Sequence, residues 1–274
     1  MLKQRVLTAL VLAPLVLGTV LFMPSHYLAL IFALVLLLGG GEWARLAGIS
    51  QPAGQLGYIL LLAGTMLGAD RLFMQSGWAP WLLSASLGWW LLVIFRISRF
   101  SSDGRLTGFR PLQALEGVIV LVPAWFSLVF LHHLPQDGPV LLVFLLMLIW
   151  GADVGAYFAG RRWGRHKLAP QVSPGKTREG VYGALVPALL FGLILGWWQG
   201  LDLQSTLLAM LLCLITVLFS VVGDLSESML KRQRSVKDSG NLLPGHGGML
   251  DRVDSLTAAA PVFLLGWVLL DKAI

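Results

Sequence analysis

The chain has 274 residues, of which 57% are hydrophobic and only 12% are charged. A water-soluble domain carries about 25% charged residues, so this composition excludes both a soluble globular domain and a disordered chain. The net charge of +6 would suit a nucleic-acid-binding protein, but the basic residues lie in short loops between apolar runs. The single cysteine excludes a disulfide scaffold. The composition predicts a polytopic membrane protein with no nucleic-acid partner.

Nine apolar runs predict nine membrane-spanning helices. Backbone groups in hydrocarbon must find hydrogen-bond partners within the protein, so a run of about 20 apolar residues folds as a helix. The runs are 6–23, 27–41, 56–69, 78–95, 112–131, 140–159, 181–198, 205–222 and 256–270. The second, third and ninth are short as drawn, and we expect their ends to extend into flanking polar residues.

The distribution of positive charge predicts which way the helices run. With nine spans, one face of the membrane receives the N-terminus and the segments 42–55, 96–111, 160–180 and 223–255. Together these hold 18 of the 20 Lys and Arg residues, and only Arg71 and Lys272 fall on the other face. Because cytoplasmic loops carry an excess of Lys and Arg, we predict an all-α polytopic integral membrane protein with about nine transmembrane helices and a cytoplasmic N-terminus.

Ionisable residues concentrate in the second half of the chain. We therefore divide the sequence into 1–135, with about five spans, and 136–274, with cytoplasmic motifs at 150–180 and 223–255. In the first part, Glu116 near the start of the fifth span is expected to face the membrane interface. The short loops and the lack of an evident targeting peptide favour a bacterial inner membrane as the location.

The polar stretch 223–255 contains carboxylates at two helix ends. If the eighth helix persists beyond the membrane, Asp224, Ser228 and Lys231 lie on one face at i, i+4 and i+7. The chain then re-enters the membrane through Asp251 and Asp254. Four basic residues between them suit phosphates: Lys231, Arg232, Arg234 and Lys237. The preference of cytoplasmic loops for Lys and Arg would explain any one of these basic residues, but it does not explain the carboxylates at the helix ends. The pattern therefore predicts a site for Mg²⁺ with a polyphosphate.

A glycine-rich turn separates these helix ends. The run Pro244-Gly245-His246-Gly247-Gly248 must interrupt a helix, and its glycines allow backbone amides to approach a ligand closely. His246 by itself is more typical of a hydrogen-bonding residue than of a metal ligand.

The segment 150–180 contains a second group of candidate residues. Asp153 lies inside the sixth span, where an unpaired carboxylate is costly, so we expect a cation or a hydrogen-bond donor beside it. The run Ser173-Pro174-Gly175-Lys176-Thr177 superficially resembles a P-loop, but Pro170 stands where the first glycine is required. Lys176 and Thr177 are predicted to contact phosphate, the alternative being a purely structural turn.

These two segments carry a resemblance to a known family. The run from Ser228 to Asp254 resembles the signature of the phosphatidate cytidylyltransferases, also called CDP-diacylglycerol synthases, without a departure over its 27 positions. The segment 150–180 is similar to the second conserved region of that family. Here Val154 replaces a common Thr and Arg178 replaces a common apolar residue. Before residue 150 the likeness is only general, as an apolar multi-span region.

The resemblance implies an integral membrane enzyme that makes CDP-diacylglycerol from CTP and phosphatidate and releases pyrophosphate. One substrate is a lipid and the other a cytosolic nucleotide, so the active site should face the cytoplasm. The resemblance also implies Mg²⁺, allows a second cation such as K⁺, and suggests a homodimer, which the residues themselves do not indicate.

We assign roles to residues within the two motifs. The metal ligands are predicted to be Asp224 and Asp251, with Ser228 as an additional ligand. The residues assigned to catalysis are Asp224, Asp251, Asp254 and Lys237. The residues assigned to substrate binding are Asp153, Ser173, Lys176, Thr177, Ser228, Lys231, Arg232, Asp238, His246, Gly247, Gly248 and Arg252.

Two other functions stay open at this point. A CTP-dependent lipid kinase, acting on polyprenol or phytol, would use the same nucleotide and metal but would transfer the γ-phosphoryl group. An ion-coupled transporter would also need membrane-embedded carboxylates. The transporter is disfavoured because the charges cluster at one membrane face and no inverted repeat is visible.

Overall fold

A computed structural model describes residues 2–74, 77–101, 107–242 and 247–271, with side-chain surroundings from residue 12 to residue 270. Within these ranges the chain forms nine α-helices and one β-hairpin. The elements are α1 (Leu2–Phe22), α2 (Ser25–Leu46), α3 (Pro52–Phe73), α4 (Ala79–Ser98), α5 (Pro111–His133), α6 (Gly138–Trp163), β1 (Lys167–Ala169), β2 (Ser173–Thr177), α7 (Arg178–Trp198), α8 (Leu203–Gln233) and α9 (Leu250–Asp271).

Each predicted span corresponds to one of these helices. In the part of the chain that the structure describes, the eight helices α2 to α9 are long and apolar enough to cross a membrane, and α1 adds an apolar segment over Leu12–Phe22. The three runs that were short as drawn extend as expected, because α2, α3 and α9 each have 22 residues. The prediction of an all-α multi-pass membrane protein is confirmed.

Helix α8 is the longest helix of the described residues and carries the first residues of the motif at 223–255. Its 31 residues give it a length of about 46 Å at 1.5 Å per residue, which exceeds the roughly 30 Å of a bilayer core. The helix continues through Asp224, Ser228 and Lys231 and ends at Gln233, so the condition under which these three residues share one face is met.

Small residues allow the C-terminal helices to approach one another closely. Helices α6, α7, α8 and α9 pack consecutively, and α5 packs against α2 and α9. Gly155 of α6 lies against the Gly183 carbonyl of α7, and Gly223 of α8 lies against the Asp254 carbonyl of α9, so a methyl group at either glycine would overlap backbone atoms. These contacts bring the two motif segments together.

A β-hairpin, which the sequence analysis did not predict, lies between α6 and α7. Lys167 pairs with Thr177 and Ala169 pairs with Ser173 in antiparallel register. The turn residue Val172 is buried against α8, and the Arg232 Nε atom donates a hydrogen bond to its carbonyl oxygen at 3.2 Å. The hairpin is therefore fixed on α8 by contacts distant in sequence.

Candidate active site

A pocket of about 410 Å³ lies where the hairpin meets the ends of the C-terminal helices. It is lined from α6 by Asp153, Tyr157 and Arg161, from the hairpin by Lys176 and Thr177, from α8 by Asp224 and from α9 by Ser255. The two motif segments thus contribute to one cavity. We refer to Asp153, Lys176 and Asp224 as the pocket side of the site.

An ion pair on the pocket side joins the two motifs directly. The Lys176 ammonium lies 2.6 Å from Asp224 Oδ2, and the Ser228 hydroxyl donates to Asp224 Oδ1 at 3.3 Å. Asp153 interacts favourably with Lys176 and unfavourably with Asp224, so the expected cation near Asp153 is this lysine. The pocket lining thus contains two carboxylates, Asp153 and Asp224, and two basic side chains, Lys176 and Arg161.

Thr177 begins helix α7 and has a structural contact. Its hydroxyl oxygen accepts a hydrogen bond from the Gly180 N–H at 3.1 Å, which is an N-cap interaction. Glu179 in the first turn accepts from the Arg165 and His166 amides and fixes the base of the hairpin. The Thr177 hydroxyl keeps its own hydrogen for another acceptor, so phosphate contact stays a prediction. Ser173 lies at the start of β2.

A second group of polar residues surrounds Asp251 in the first turn of α9. Asp251 Oδ1 accepts from the Lys231 ammonium at 2.5 Å. Asp251 Oδ2 accepts from the Ser239 amide at 3.1 Å, the Ser239 hydroxyl at 3.0 Å and the Gly248 amide at 2.8 Å. Lys231 also donates to Glu227 at 3.0 Å. The two predicted metal ligands thus have different partners, because Asp224 pairs with Lys176 and Asp251 pairs with Lys231.

Asp254 lies between these two groups, one helical turn after Asp251. Its backbone carbonyl rests against Gly223, directly before Asp224. Its carboxylate interacts unfavourably with Asp224 and favourably with Lys176, and it accepts from the Ser255 amide at 2.7 Å. This position gives a physical basis for assigning Asp254 to the site, although its role in the reaction stays a prediction.

The remaining assigned residues lie at the periphery of the site. Arg232 contacts the hairpin carbonyl at Val172, whereas Lys237, Asp238 and Arg252 have exposed side chains in the segment after α8 and at the start of α9. These placements leave the substrate-binding assignments untested.

The glycine-rich turn is described only in part. Gly247 adopts φ +82°, and a Cβ atom there would lie 2.7 Å from Asp251 Oδ2, so both the backbone conformation and the space favour glycine. Pro244, Gly245 and His246 lie outside the described residues.

Sequence reasoning missed two buried glutamates near Asp251. Glu227 is 3% exposed and pairs with Lys231, and Glu42 of α2 is also 3% exposed. Glu42 directly follows the apolar run of α2, which is the signal that could have identified it, because a carboxylate in such a place needs specific partners. Glu227 lies within the polar stretch 223–255, and its spacing of four residues from Lys231 is the signal that could have identified it. Glu116, expected at the interface, is instead buried and paired with Arg96 of α4.

Comparison with known proteins identifies the family of the chain. The model of the Cytidylyltransferase family matches residues 3–270. The chain is 45% identical over 263 residues to the phosphatidate cytidylyltransferase of Pseudomonas aeruginosa, covering 96% of both chains. It is 40% identical over 282 residues to that of Haemophilus influenzae, covering 96% and 97%, and 34% identical over 264 residues to that of Bacillus subtilis, covering 94% and 95%. Because these matches include the N-terminal helices as well as the two motifs, the chain belongs to the cytidylyltransferase family.

Proposed function

We propose that this chain is a phosphatidate cytidylyltransferase, which converts CTP and phosphatidate into CDP-diacylglycerol and pyrophosphate. The observation that carries the proposal is the Lys176–Asp224 ion pair, which joins the two family motifs in a pocket at the helix ends of a membrane protein. The names of the three bacterial relatives support the choice of substrates.

The proposed reaction is a direct nucleotidyl transfer. A phosphate oxygen of phosphatidate attacks the α-phosphorus of CTP, a new P–O bond forms, and the bond to the bridging oxygen breaks in line as pyrophosphate leaves. The lipid phosphate is anionic near neutral pH, so the attack requires no strong general base. Catalysis then consists mainly of positioning and charge neutralisation, as is common in phosphoryl transfer.

Lys176 is the cation best placed to bind the CTP phosphates. It faces the pocket, with Arg161 at the same wall. When CTP binds, a phosphate would compete with Asp224 for the Lys176 ammonium. The exchange would leave the Asp224 carboxylate free to hold a cation, so phosphate binding and cation binding would support each other.

The pocket side also suits Mg²⁺. Its ligands would be carboxylate and hydroxyl oxygens, from Asp224 with Ser228, which Mg²⁺ prefers. No group of three His, Cys, Asp or Glu residues in the described ranges forms a ready-made metal site, but Mg²⁺ commonly uses one or two carboxylates together with substrate phosphates. Asp251 would become a Mg²⁺ ligand only after one of the four groups that now donate hydrogen bonds to its carboxylate moved away. Bound Mg²⁺ would neutralise phosphate charge, and a second cation such as K⁺ would add to this.

We place the site at the cytoplasmic face of a bacterial inner membrane. The described helix ends that form the pocket, at α6, α7, α8 and α9, belong to the segments with the positive-charge excess, and the three relatives are bacterial. A homodimer is proposed from the family resemblance alone, and the mass of the detergent-solubilised protein tests it.

The proposed function is tested by following the α-phosphate of CTP. Purified protein in detergent is given phosphatidate, Mg²⁺ and CTP labelled at the α-phosphate. The expected result is label in the chloroform-extractable lipid, an equal amount of pyrophosphate, and loss of both with EDTA. Label left in aqueous CDP would instead identify a lipid kinase, and an absence of nucleotide consumption by folded protein would contradict both enzymes.

A further inference from the structure

Glu42 of helix α2 makes three hydrogen bonds with the segment that leads into α9. Its Oε1 accepts from the Met249 amide at 3.0 Å, and its Oε2 accepts from the Leu250 amide at 2.8 Å and the Ser239 hydroxyl at 2.8 Å. The first amides of a helix have no partner within the helix itself. A residue about 200 positions away in sequence therefore supplies the acceptor for the start of α9.

The surrounding glycines show that this contact is closely packed. A Cβ atom at position 240 would lie 2.8 Å from the Glu42 carboxyl carbon, and one at position 248 would lie 2.6 Å from it. Real Cβ atoms do not approach other heavy atoms so closely, so a side chain at either position would displace the Glu42 carboxylate from its present place.

Ser239 connects Glu42 to Asp251. The Ser239 hydroxyl lies within hydrogen-bonding distance of both carboxylates, at 2.8 Å from Glu42 and 3.0 Å from Asp251. The Ser239 amide donates to the same Asp251 oxygen. The position of Asp251 thus depends on a residue that Glu42 holds, and Asp251 in turn contacts Lys231. We refer to Glu42, Ser239 and Asp251 as the inner side of the site.

We propose that Glu42 is a positioning residue for cytidylyl transfer, which holds Ser239 and the start of α9 so that Asp251 keeps its place. The proposal rests on the proposed function, because it concerns the rate of that reaction. It also gives the N-terminal helices an indirect part in the reaction, through α2. Neither Glu42 nor Asp251 is among the residues that line the described pocket, and Glu42 acts through Ser239 and Asp251.

The test compares Glu42→Gln with the wild-type protein in the labelled-CTP assay. Glutamine has the same size but only one acceptor oxygen, so at least one of the three donors would face an amide N–H. A small displacement of reacting groups costs up to about 100-fold in rate, and we expect kcat to fall by about 10- to 100-fold while the KM for phosphatidate changes little. Hydrogen exchange at the Met249 and Leu250 amides should become faster.

Glu116→Gln is the matched control, because Glu116 is another buried glutamate of the N-terminal helices, pairs with Arg96 and is not among the residues that line the pocket. We expect it to lower thermal stability without lowering kcat. Equal losses of kcat in both variants would indicate general destabilisation and would overturn the proposal, as would wild-type kcat in folded Glu42→Gln.

Ser239→Ala provides a second test that does not depend on the folding of the first variant. It removes only the shared hydroxyl and should lower kcat by about 2- to 10-fold, the value of one ordinary hydrogen bond. If Glu42→Gln does not fold, wild-type kcat in Ser239→Ala overturns the proposal. Inactive wild-type protein would contradict the proposed function instead, so the two failures are distinguishable.

Discussion

The pocket side and the inner side of the site use carboxylates in opposite ways. On the pocket side, Asp153 and Asp224 line open space, and Asp224 is paired with Lys176. On the inner side, Glu42 accepts from the Met249 and Leu250 amides, and Asp251 accepts from the Lys231 ammonium and from the Ser239 and Gly248 amides. The one Ser239 hydroxyl hydrogen lies between the two carboxylates and is shared by them.

This difference separates binding from positioning. Carboxylates with few fixed donors can exchange a lysine for a cation when an anionic ligand arrives, whereas carboxylates with many fixed donors are held in one geometry. We therefore expect substitutions on the pocket side to alter the affinity for ligand or cation. Substitutions on the inner side should instead alter kcat, the turnover rate of the enzyme–substrate complex.

The largest effect is expected from Asp251→Asn. The amide group would place N–H donors against Lys231, Gly248 or Ser239, which now donate to the carboxylate. We expect turnover to fall by at least about 100-fold, the size of effect seen when one preorganised catalytic contact is removed, with the protein still folded in the membrane. Initial rates of label transfer measure this.

Asp202→Asn is the control for that variant. Asp202 is an exposed helix-capping aspartate that accepts from the Ser205 amide at 2.8 Å and lies before α8, outside the site. Its turnover should match that of the wild type. Near-normal turnover in Asp251→Asn would remove Asp251 from the reaction.

Lys176→Ala should be the next most damaging change. It removes the only lysine among the residues that line the described pocket, and a charge-assisted hydrogen bond contributes about 1.5–3 kcal/mol. We expect the KM for CTP to rise by about 10- to 100-fold. Lys167→Ala on the neighbouring strand, where the side chain is exposed, should leave that KM unchanged, and equal effects in both variants would contradict a specific role for Lys176.

Asp224→Asn should weaken cation binding on the pocket side. The variant loses one carboxylate charge next to Lys176 and Ser228, so more Mg²⁺ should be needed for half-maximal activity. We expect a shift of about 10-fold, measured by titrating Mg²⁺ after removal of metal with EDTA. An unchanged Mg²⁺ dependence would exclude Asp224 as a ligand.

The smallest effect is expected from Thr177→Ala. Removal of the N-cap hydroxyl of α7 should lower stability by about 1 kcal/mol, seen as a lower Tm in detergent. Thr177→Ser keeps the hydroxyl and should retain most of the Tm. If the Tm of the alanine variant is unchanged but the KM for CTP rises, the Thr177 hydroxyl contacts a CTP phosphate and does not stabilise α7.

The helices were predictable because their signal is local. An apolar run of sufficient length requires a helix in a membrane, and the polar flanks of α2, α3 and α9 could be assigned to the same helices from length alone. The meeting of the two motif segments was also predictable, since alternate helix ends share one face of the membrane and the positive charge lies there.

The pairing of side chains was not predictable, because it depends on distances between helices. The sequence does not indicate that Lys176 pairs with Asp224 and Lys231 with Asp251, since either lysine could have met either carboxylate. The hairpin forms because Val172 and Arg232 meet across 60 positions, and Glu42 reaches α9 across about 200. Such contacts follow from the packed fold and leave no periodic pattern in the sequence.

The separation of binding from positioning is tested most directly by measuring kcat and the KM for CTP side by side in Lys176→Ala and Glu42→Gln. The account predicts a raised KM with a smaller change in kcat for the first variant, and a lowered kcat with a nearly unchanged KM for the second. If both variants changed mainly kcat, or both changed mainly the KM for CTP, the account would be contradicted, because binding and positioning would then not be separated between the two sides.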